Sequence, residues 1–238
     1  MRWLSDWYTL LRLANRRFRS EADYLEFQMY QGFLLMQFLH GQDVTLEGYV
    51  LDLGCGNGGY SKTMNESGAQ IVSLDLRQLS TPPPVFVRGS ALELPFDDDR
   101  FRFVFCASVI EHVPRPRLLL EEIKRVLTPG GKAYVSFPPF YSPVGGHQFK
   151  PYHLLGERLA VRLSRTGCMG YATGCEASYF NPLYPLTIRR ASNLMSEVGL
   201  EIVSTTTRFF PMNMANIPLL GEFVTWHVQF VVHKPQRK

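Results

Sequence analysis

Val50-Leu51-Asp52-Leu53-Gly54-Cys55-Gly56-Asn57-Gly58-Gly59-Tyr60 decides how the rest of this chain is read. The apolar run reads as a buried β-strand, the glycines as a loop, and the residues after them as the opening of a helix. Glycine reaches backbone angles closed to other residues and lets a ligand touch the main chain. Gly54, Gly56 and Gly59 fit the G-x-G-x-x-G spacing of dinucleotide sites, a match that is weak when it stands alone. Asp52 shifts the reading. A dinucleotide places its pyrophosphate at a helix N-terminus, and a carboxylate two residues before the first glycine is poor company for it.

Working outward, strands and helices alternate. A strand over 49–53 is followed by a helix near 59–67 that stops at Gly68, then a strand from Gln70 to Leu74 that runs into Asp75. Pro82 to Pro84 forbid helix and mark a surface loop. A short strand at Val85–Arg88 precedes Gly89-Ser90-Ala91-Leu92-Glu93-Leu94-Pro95-Phe96, and Asp97-Asp98-Asp99 make a solvated turn. Phe101 to Ala107 is a strongly apolar strand. A helix over Arg115–Leu127 ends at Thr128-Pro129-Gly130-Gly131, and Lys132 to Phe137 is another strand. Such alternation builds a parallel sheet covered on both faces, whose strands are continuously apolar.

From Pro138 to about Pro185 the rhythm fails in a segment rich in Pro, Gly, Tyr and His. Long structureless stretches in compact domains are usually lids or binding loops. Order returns with a helix over Ile188–Val198, stopped by Gly199, a strand over Leu200–Phe209, a short helix over Pro218–Thr225 and a strand over His227–Val232. The last two strands are expected to pair antiparallel at the sheet edge. The fold class is therefore α/β: a doubly wound, mostly parallel seven-stranded sheet with helices on both faces. The expected domains are an N-terminal helical cap over 1–40, a ligand-binding domain over 41–137 and 186–238, and an inserted lid over 138–185.

With 238 residues the chain can bury one good core. Its net charge of +4, without a long Lys/Arg block, argues against a nucleic-acid partner. The cysteines Cys55, Cys106, Cys168 and Cys175 lack C-x-x-C spacing and read as reduced thiols, which points to the cytoplasm. No apolar run is long enough to span a bilayer, and no secretory signal is expected. Trp3, Trp7, Leu10, Leu11 and Ala14 recur at helical spacing beside Arg2, Arg12, Arg16, Arg17 and Arg19. Trp and Arg on an amphipathic helix allow weak contact with a membrane surface. A helix capping the domain's own pocket is the reading favoured here, since most such stripes pack on a core.

At Val50–Tyr60, Ile71–Leu76, Gly89–His112 and Leu127–Phe137 the chain resembles the class I, Rossmann-like S-adenosylmethionine-dependent methyltransferases, in their small-molecule branch. Glu-Leu-Pro-Phe-Asp, followed by Phe-Cys-Ala-Ser-Val-Ile-Glu-His-Val and Leu-Thr-Pro-Gly-Gly, carries most of the likeness. It covers about 48–137 firmly and 188–234 more weakly. The resemblance implies S-adenosyl-L-methionine as cofactor and S-adenosyl-L-homocysteine as product. Asp52 would suit the ammonium group of that cofactor's amino-acid tail. Gly54, Cys55, Gly56 and Gly58 would cradle the tail, and Asp75 would accept the ribose hydroxyls, with Leu76 beside it. Ser90 stands where the family often has an acid near the adenine amino group, so charge assistance is lost. Ala91 and Leu92 would line the ring, and Ser108 would approach the methionine portion.

The implied reaction is in-line displacement at the sulfonium methyl, for which the protein mainly aligns the reactants. An oxygen nucleophile must also lose a proton, and histidine is the usual acceptor. His147, after Gly145 and Gly146, is the candidate base, with His153 the second catalytic candidate. The bland alternative has both histidines simply tying the loop down. Glu111 and His112 read as the start of a helix, His112 as a packing residue. No metal site is expected, because His147 and His153 match no ligand spacing and lack a third partner. Phe137, Phe140, Tyr141, Phe149, Tyr152, Tyr171, Tyr179, Phe180 and Tyr184 read mostly as packing, with one or two left for a pocket wall.

The expected acceptor is a small molecule, or one linked to a sugar or lipid, modified at oxygen. A nucleic-acid or protein methyltransferase is the alternative, as is a catalytically silent S-adenosylmethionine-binding partner protein. Phe137-Pro138-Pro139-Phe140 lacks the polar first residue that amino-directed DNA enzymes place before the prolines, which disfavours chemistry on a flipped base.

Overall fold

The computed structural model describes residues 2–66, 68–79, 81–165, 183–210, 212–218 and 220–236. Its helices are α1 (Arg2–Arg16), α2 (Glu21–His40), α3 (Gly59–Glu66), α4 (Pro116–Val126), α5 (Glu157–Arg165), α6 (Ile188–Val198) and α7 (Gly221–Val224). Its strands are β1 (Tyr49–Leu53), β2 (Gln70–Asp75), β3 (Phe86–Arg88), β4 (Phe101–Ala107), β5 (Leu127–Phe137), β6 (Glu201–Thr207) and β7 (Val228–His233). The strands form one seven-stranded sheet in the order β3-β2-β1-β4-β5-β7-β6. β1 pairs in parallel with β2 and β4, and β2 with β3. β6 and β7 pair antiparallel, as expected of the last two strands.

The described chain forms two compact units. The first comprises Met1–Cys106, Glu122–Ala133 and Lys234–Lys238. β1 is buried at every position after Tyr49, as a strand covered on both faces must be. Val50, Leu51, Leu53, Met64, Phe103 and Phe105 anchor its core. α2 begins at Ser20, whose hydroxyl accepts from Asp23 N at 3.0 Å and so satisfies one orphan amide of the first turn. α2 packs closely on α3: a Cβ at Gly32 would lie 2.8 Å from Thr63 Oγ1. In α1, Leu13 is buried while Leu4, Tyr8 and Leu11 are exposed along one stripe.

The Glu-Leu-Pro-Phe-Asp stretch is held by α4. Arg125 donates to Leu94 O, Phe96 O, Asp98 and Glu122, and Glu122 accepts from Leu94 N at 2.6 Å. The turn expected to be merely solvated is thus partly paired, for Asp99 also accepts from Lys234 Nζ. A second difference follows. Thr128-Pro129-Gly130-Gly131 lies inside β5 rather than ending α4. Gly130 N donates to Lys234 O, and Lys234 N to Gly131 O, so a distant segment supplies the ladder the local sequence does not advertise.

The second unit comprises Ala107–Glu121 and Tyr134–His233. Phe137 stacks on Phe230 at its core, with ring centroids 6.2 Å apart. α6 starts at Thr187, which caps Arg190 N, and the Glu222 carboxylate accepts from Ile188 N and Arg189 N at the same end. Both devices answer orphan amides and the positive end of the helix dipole. After β5 the chain makes 3-10 turns at His147–Phe149 and Tyr152–Leu155 before α5. Phe149, Ala160 and Leu183, with Tyr152, form a small core there. Cys168, Tyr171, Cys175, Tyr179 and Phe180 lie outside the described residues.

Candidate functional site

In the first unit the glycine loop is tied back to β2. Gly54 N and Cys55 N both donate to Leu74 O, at 2.7 and 3.0 Å, and Gly58 N to Cys55 O at 2.9 Å. Gly54, Gly56 and Gly58 all have positive φ, a conformation that L side chains rarely adopt. Close approach constrains Gly59 as well, since a Cβ there would sit 2.4 Å from Gln28 Cβ on α2. Cys55 is a buried free thiol that gives the loop its backbone.

Asp75 closes the loop from β2. One carboxylate oxygen accepts from Gly56 N at 3.0 Å and the other from Arg77 N at 2.9 Å. Each oxygen carries a second lone pair for a ligand hydroxyl. Gln28 adds an acceptor that the sequence did not signal. It is buried, it lies against Gly59, and its Oε1 has no hydrogen-bond partner. Buried polar atoms are normally satisfied, so this oxygen fits a ligand that brings N–H donors, as an ammonium-bearing amino acid does.

Asp52 is placed differently from the expectation. Its carboxylate is 1% exposed and accepts from Ser61 Oγ of α3, which lies 2.8 Å from Ser73 Oγ of β2. Burial raises its pKa to about 7, against the opposing bond from Ser61. Asp52 therefore braces the start of α3 instead of presenting its charge at the loop surface. Its strand position was legible; the side to which the pleat turns it was not.

Ser90 uses its hydroxyl locally, accepting from Leu92 N at 3.1 Å, and so fixes the turn that carries Ala91 and Leu92. Both of those residues are half-buried, while Leu76 is exposed.

The second unit holds the other candidates. Ser108 has a φ of 56° and its Oγ lies 3.2 Å from His227 Nε2. His227 was not anticipated. Burial and the charge of Arg208 hold it well below its ordinary pKa. Glu111 and His112 lie in a 3-10 turn, Ile110–His112, separate from α4. His147 reaches the same place from the loop after β5. Its Nε2 is 3.7 Å from Glu111 Oε1, His112 Nε2 is 4.0 Å from that oxygen, and the two rings meet edge-on at 4.9 Å.

Gly145 and Gly146 make this turn possible. A Cβ on Gly145 would lie 2.1 Å from Pro139 O, and one on Gly146 2.2 Å from His153 Nδ1. His147 itself has a φ of 48°. Such a conformation in a bulky residue is held only when the surroundings over-determine it. Glu111 is 2% exposed and neither carboxylate oxygen has a hydrogen-bond partner; His147 Nε2 has none either. Burial raises Glu111 to about 8 and lowers His147 to about 4, so each favours its uncharged form at neutral pH. His147 therefore has a free lone pair under working conditions.

His153 parts company with His147. Its ring is 1% exposed, beneath Gly146 and edge-on to Phe140 at 5.3 Å. His153, the second catalytic candidate, thus packs inside the turn, whereas His147 is partly exposed. Tyr141 is exposed and set against Phe223, which leaves it available as a pocket wall.

Residues 51–135 match the family model described as a methyltransferase domain. An uncharacterized methyltransferase of Mycobacterium leprae is 29% identical over 196 residues, covering 77% of this chain and 71% of that one. Among solved structures, a chain from the complex between the Haloferax volcanii Trm112 methyltransferase activator and a methyltransferase aligns with a TM-score of 0.61 at 16% identity, over 97% of this chain and 96% of that one. Phosphoethanolamine N-methyltransferase 2 of Haemonchus contortus, solved with S-adenosyl-L-methionine, gives 0.58 at 17% identity over 85% of this chain and 52% of that one. These structures share the fold. The matched methyltransferase domain and the mycobacterial relative, on this shared fold, make the chain an S-adenosylmethionine-dependent methyltransferase.

Proposed function

We propose that the enzyme methylates an oxygen of a small-molecule, sugar- or lipid-linked acceptor, and that the Glu111–His112–His147 cluster handles the acceptor's proton. The observation that carries this is His147: buried enough to be neutral, 27% exposed at its side chain, and with Nε2 lacking a partner. The cofactor supplies an activated methyl group on a sulfonium. The chain's own residues do the rest. Asp75 and the glycine loop it closes orient the cofactor, Gln28 Oε1 offers an acceptor to its ammonium group, and Asp52 braces α3 through Ser61. A neutral imidazole then accepts the hydroxyl proton as the new C–O bond forms, and positioned proton transfer of this kind contributes about 10²–10⁴-fold.

The exposed stripe of Leu4, Tyr8 and Leu11 supports an acceptor carried on a lipid and met at a membrane surface. Among the described residues no helix is long and apolar enough to cross a membrane. The test is incubation of the protein with deuteromethyl-labelled S-adenosylmethionine and separate soluble and membrane fractions of cell extract, followed by mass spectrometry. One labelled product whose methyl sits on oxygen is expected. A methyl on nitrogen, on nucleic acid or on protein would overturn the acceptor class. Cofactor binding without any labelled product would favour a silent binding protein.

A further inference from the structure

Three potential metal-ligand atoms converge in the second unit. The ligand atoms of Glu111, His112 and His147 all lie within 4.8 Å of one another. Ligands ~2.1 Å from a tetrahedral ion lie roughly 3.4 Å apart. The Glu111–His147 and Glu111–His112 pairs stand at 3.7 and 4.0 Å, and every pair lies within 4.8 Å. An ion therefore draws all three side chains inward, by at most about 1.4 Å for any pair, through side-chain rotation.

A second observation points to a ligand. A carboxylate excluded from water ordinarily has partners, and an unpaired one is among the costlier features a fold can carry. Glu111 is 2% exposed with both oxygens unpartnered, and the lone pair of His147 Nε2 is unpartnered beside it. The nearby cation, Arg208, does not relieve this. Its Nη1 is directed at Ser136 Oγ, and its charge reaches Glu111 only through space. The turn at Gly145-Gly146 and the positive φ of His147 hold the third group in place.

We propose that Glu111, His112 and His147 form a binding site for a divalent transition-metal cation. Two imidazoles and one carboxylate suit Zn²⁺, Mn²⁺, Fe²⁺ or Co²⁺ better than Ca²⁺ or Mg²⁺, which favour all-oxygen sets. Three protein ligands leave coordination positions open, the pattern of catalytic rather than structural sites. An ion there also reverses the electrostatic logic of the cluster: it holds Glu111 as the carboxylate and uses the His147 lone pair.

The site stands on its own geometry, while its role rests on the proposed transfer to oxygen. In that role the ion takes the place of His147 as the group that frees the acceptor's proton: His147 becomes a ligand, and coordination of the acceptor hydroxyl lowers its pKa. The proton leaves to solvent, the oxygen pair forms the new C–O bond, and the S–C pair stays on sulfur. No oxidant or reductant is required.

Chelator-treated, dialysed protein titrated with Co²⁺ and followed by visible d–d absorption tests the site directly, with calorimetry for Zn²⁺, Mn²⁺ and Mg²⁺. One ion per chain is expected, with Zn²⁺ and Co²⁺ binding more tightly than Mg²⁺. H112A, H147A and E111Q should each weaken it by at least ~10-fold, on the scale of losses seen around metal sites. S-adenosylhomocysteine affinity should stay unchanged in all three, which shows that each variant is folded. Absence of one-to-one binding to the wild-type protein overturns the site, as does binding that survives H112A and H147A. Methyl transfer to oxygen by fully metal-free protein overturns the ion's proposed role and leaves the acceptor reading intact. An ion bound without methyl transfer to oxygen leaves the site and removes its proposed role.

Discussion

Asp52 and Glu111 are 1% and 2% exposed, and burial raises them to about 7 and about 8. Depth and direction match, yet their surroundings do not. Asp52 accepts from Ser61, with Ser73 completing the group, so its polarity is answered within the chain. Both oxygens of Glu111 lack a partner, and so does the His147 nitrogen beside them. A buried group answered by its neighbours holds a fold together. One left unanswered costs stability and persists where something outside the chain completes it. Burial alone therefore does not mark a functional carboxylate; the missing partner does.

The sharpest break of this comparison is steric. Gly59→Val places branched atoms where even a Cβ would sit 2.4 Å from Gln28 Cβ. It should abolish measurable S-adenosylhomocysteine binding in calorimetry, and retained affinity would remove close α2 packing from the account. On the other side of the comparison, His147→Ala should slow methyl transfer by about 10²–10⁴-fold with cofactor affinity intact. Single-turnover assays against the labelled acceptor read the rate, and an unaltered rate removes His147 from the proton path. Asp75→Ala should weaken cofactor binding by roughly 2–3 kcal/mol, because it removes hydrogen bonds to ligand hydroxyls and releases Gly56 N.

The smallest effect concerns Asp52. Its carboxyl is raised from 3.8 to about 7 on folding, so the folded state binds the proton more tightly than the unfolded chain does. The associated stability is complete below pH ~4 and is lost as pH rises through ~7. Asp52→Asn keeps a polar partner for Ser61 and removes the titration. Denaturant unfolding should show the variant flatter across that window and at least as stable as wild type at pH 8. A wild-type stability that rises between pH 4 and 7, with the variant following it, would contradict the assignment.

Much of the first unit was legible because its signals are local. Val50–Leu53 is apolar at each position except Asp52, glycines end it, and β1, β4 and α3 fall where the runs and stops place them. The strand over 127–131 was not legible, because Thr-Pro-Gly-Gly reads as a stop while its ladder comes from Lys234. Asp75 was found by its place at a strand end. Gln28 was not, since a polar residue in an apolar helix gives no hint that α2 lies over the glycine loop. Glu111 and His112 are adjacent in sequence and say little until the Gly145-Gly146 turn brings His147 to them. His227 depends likewise on a distant serine, Ser108. Sites assembled from segments far apart in the chain leave no spacing to read.

Paired calorimetric titrations of the wild-type protein with S-adenosylhomocysteine and with NAD test the central claim most directly. The glycine loop closed by Asp75, with the unpartnered Gln28 oxygen beside it, predicts one-to-one binding of S-adenosylhomocysteine and no measurable heat from NAD. Saturable binding of NAD with none of S-adenosylhomocysteine would contradict the account at its base.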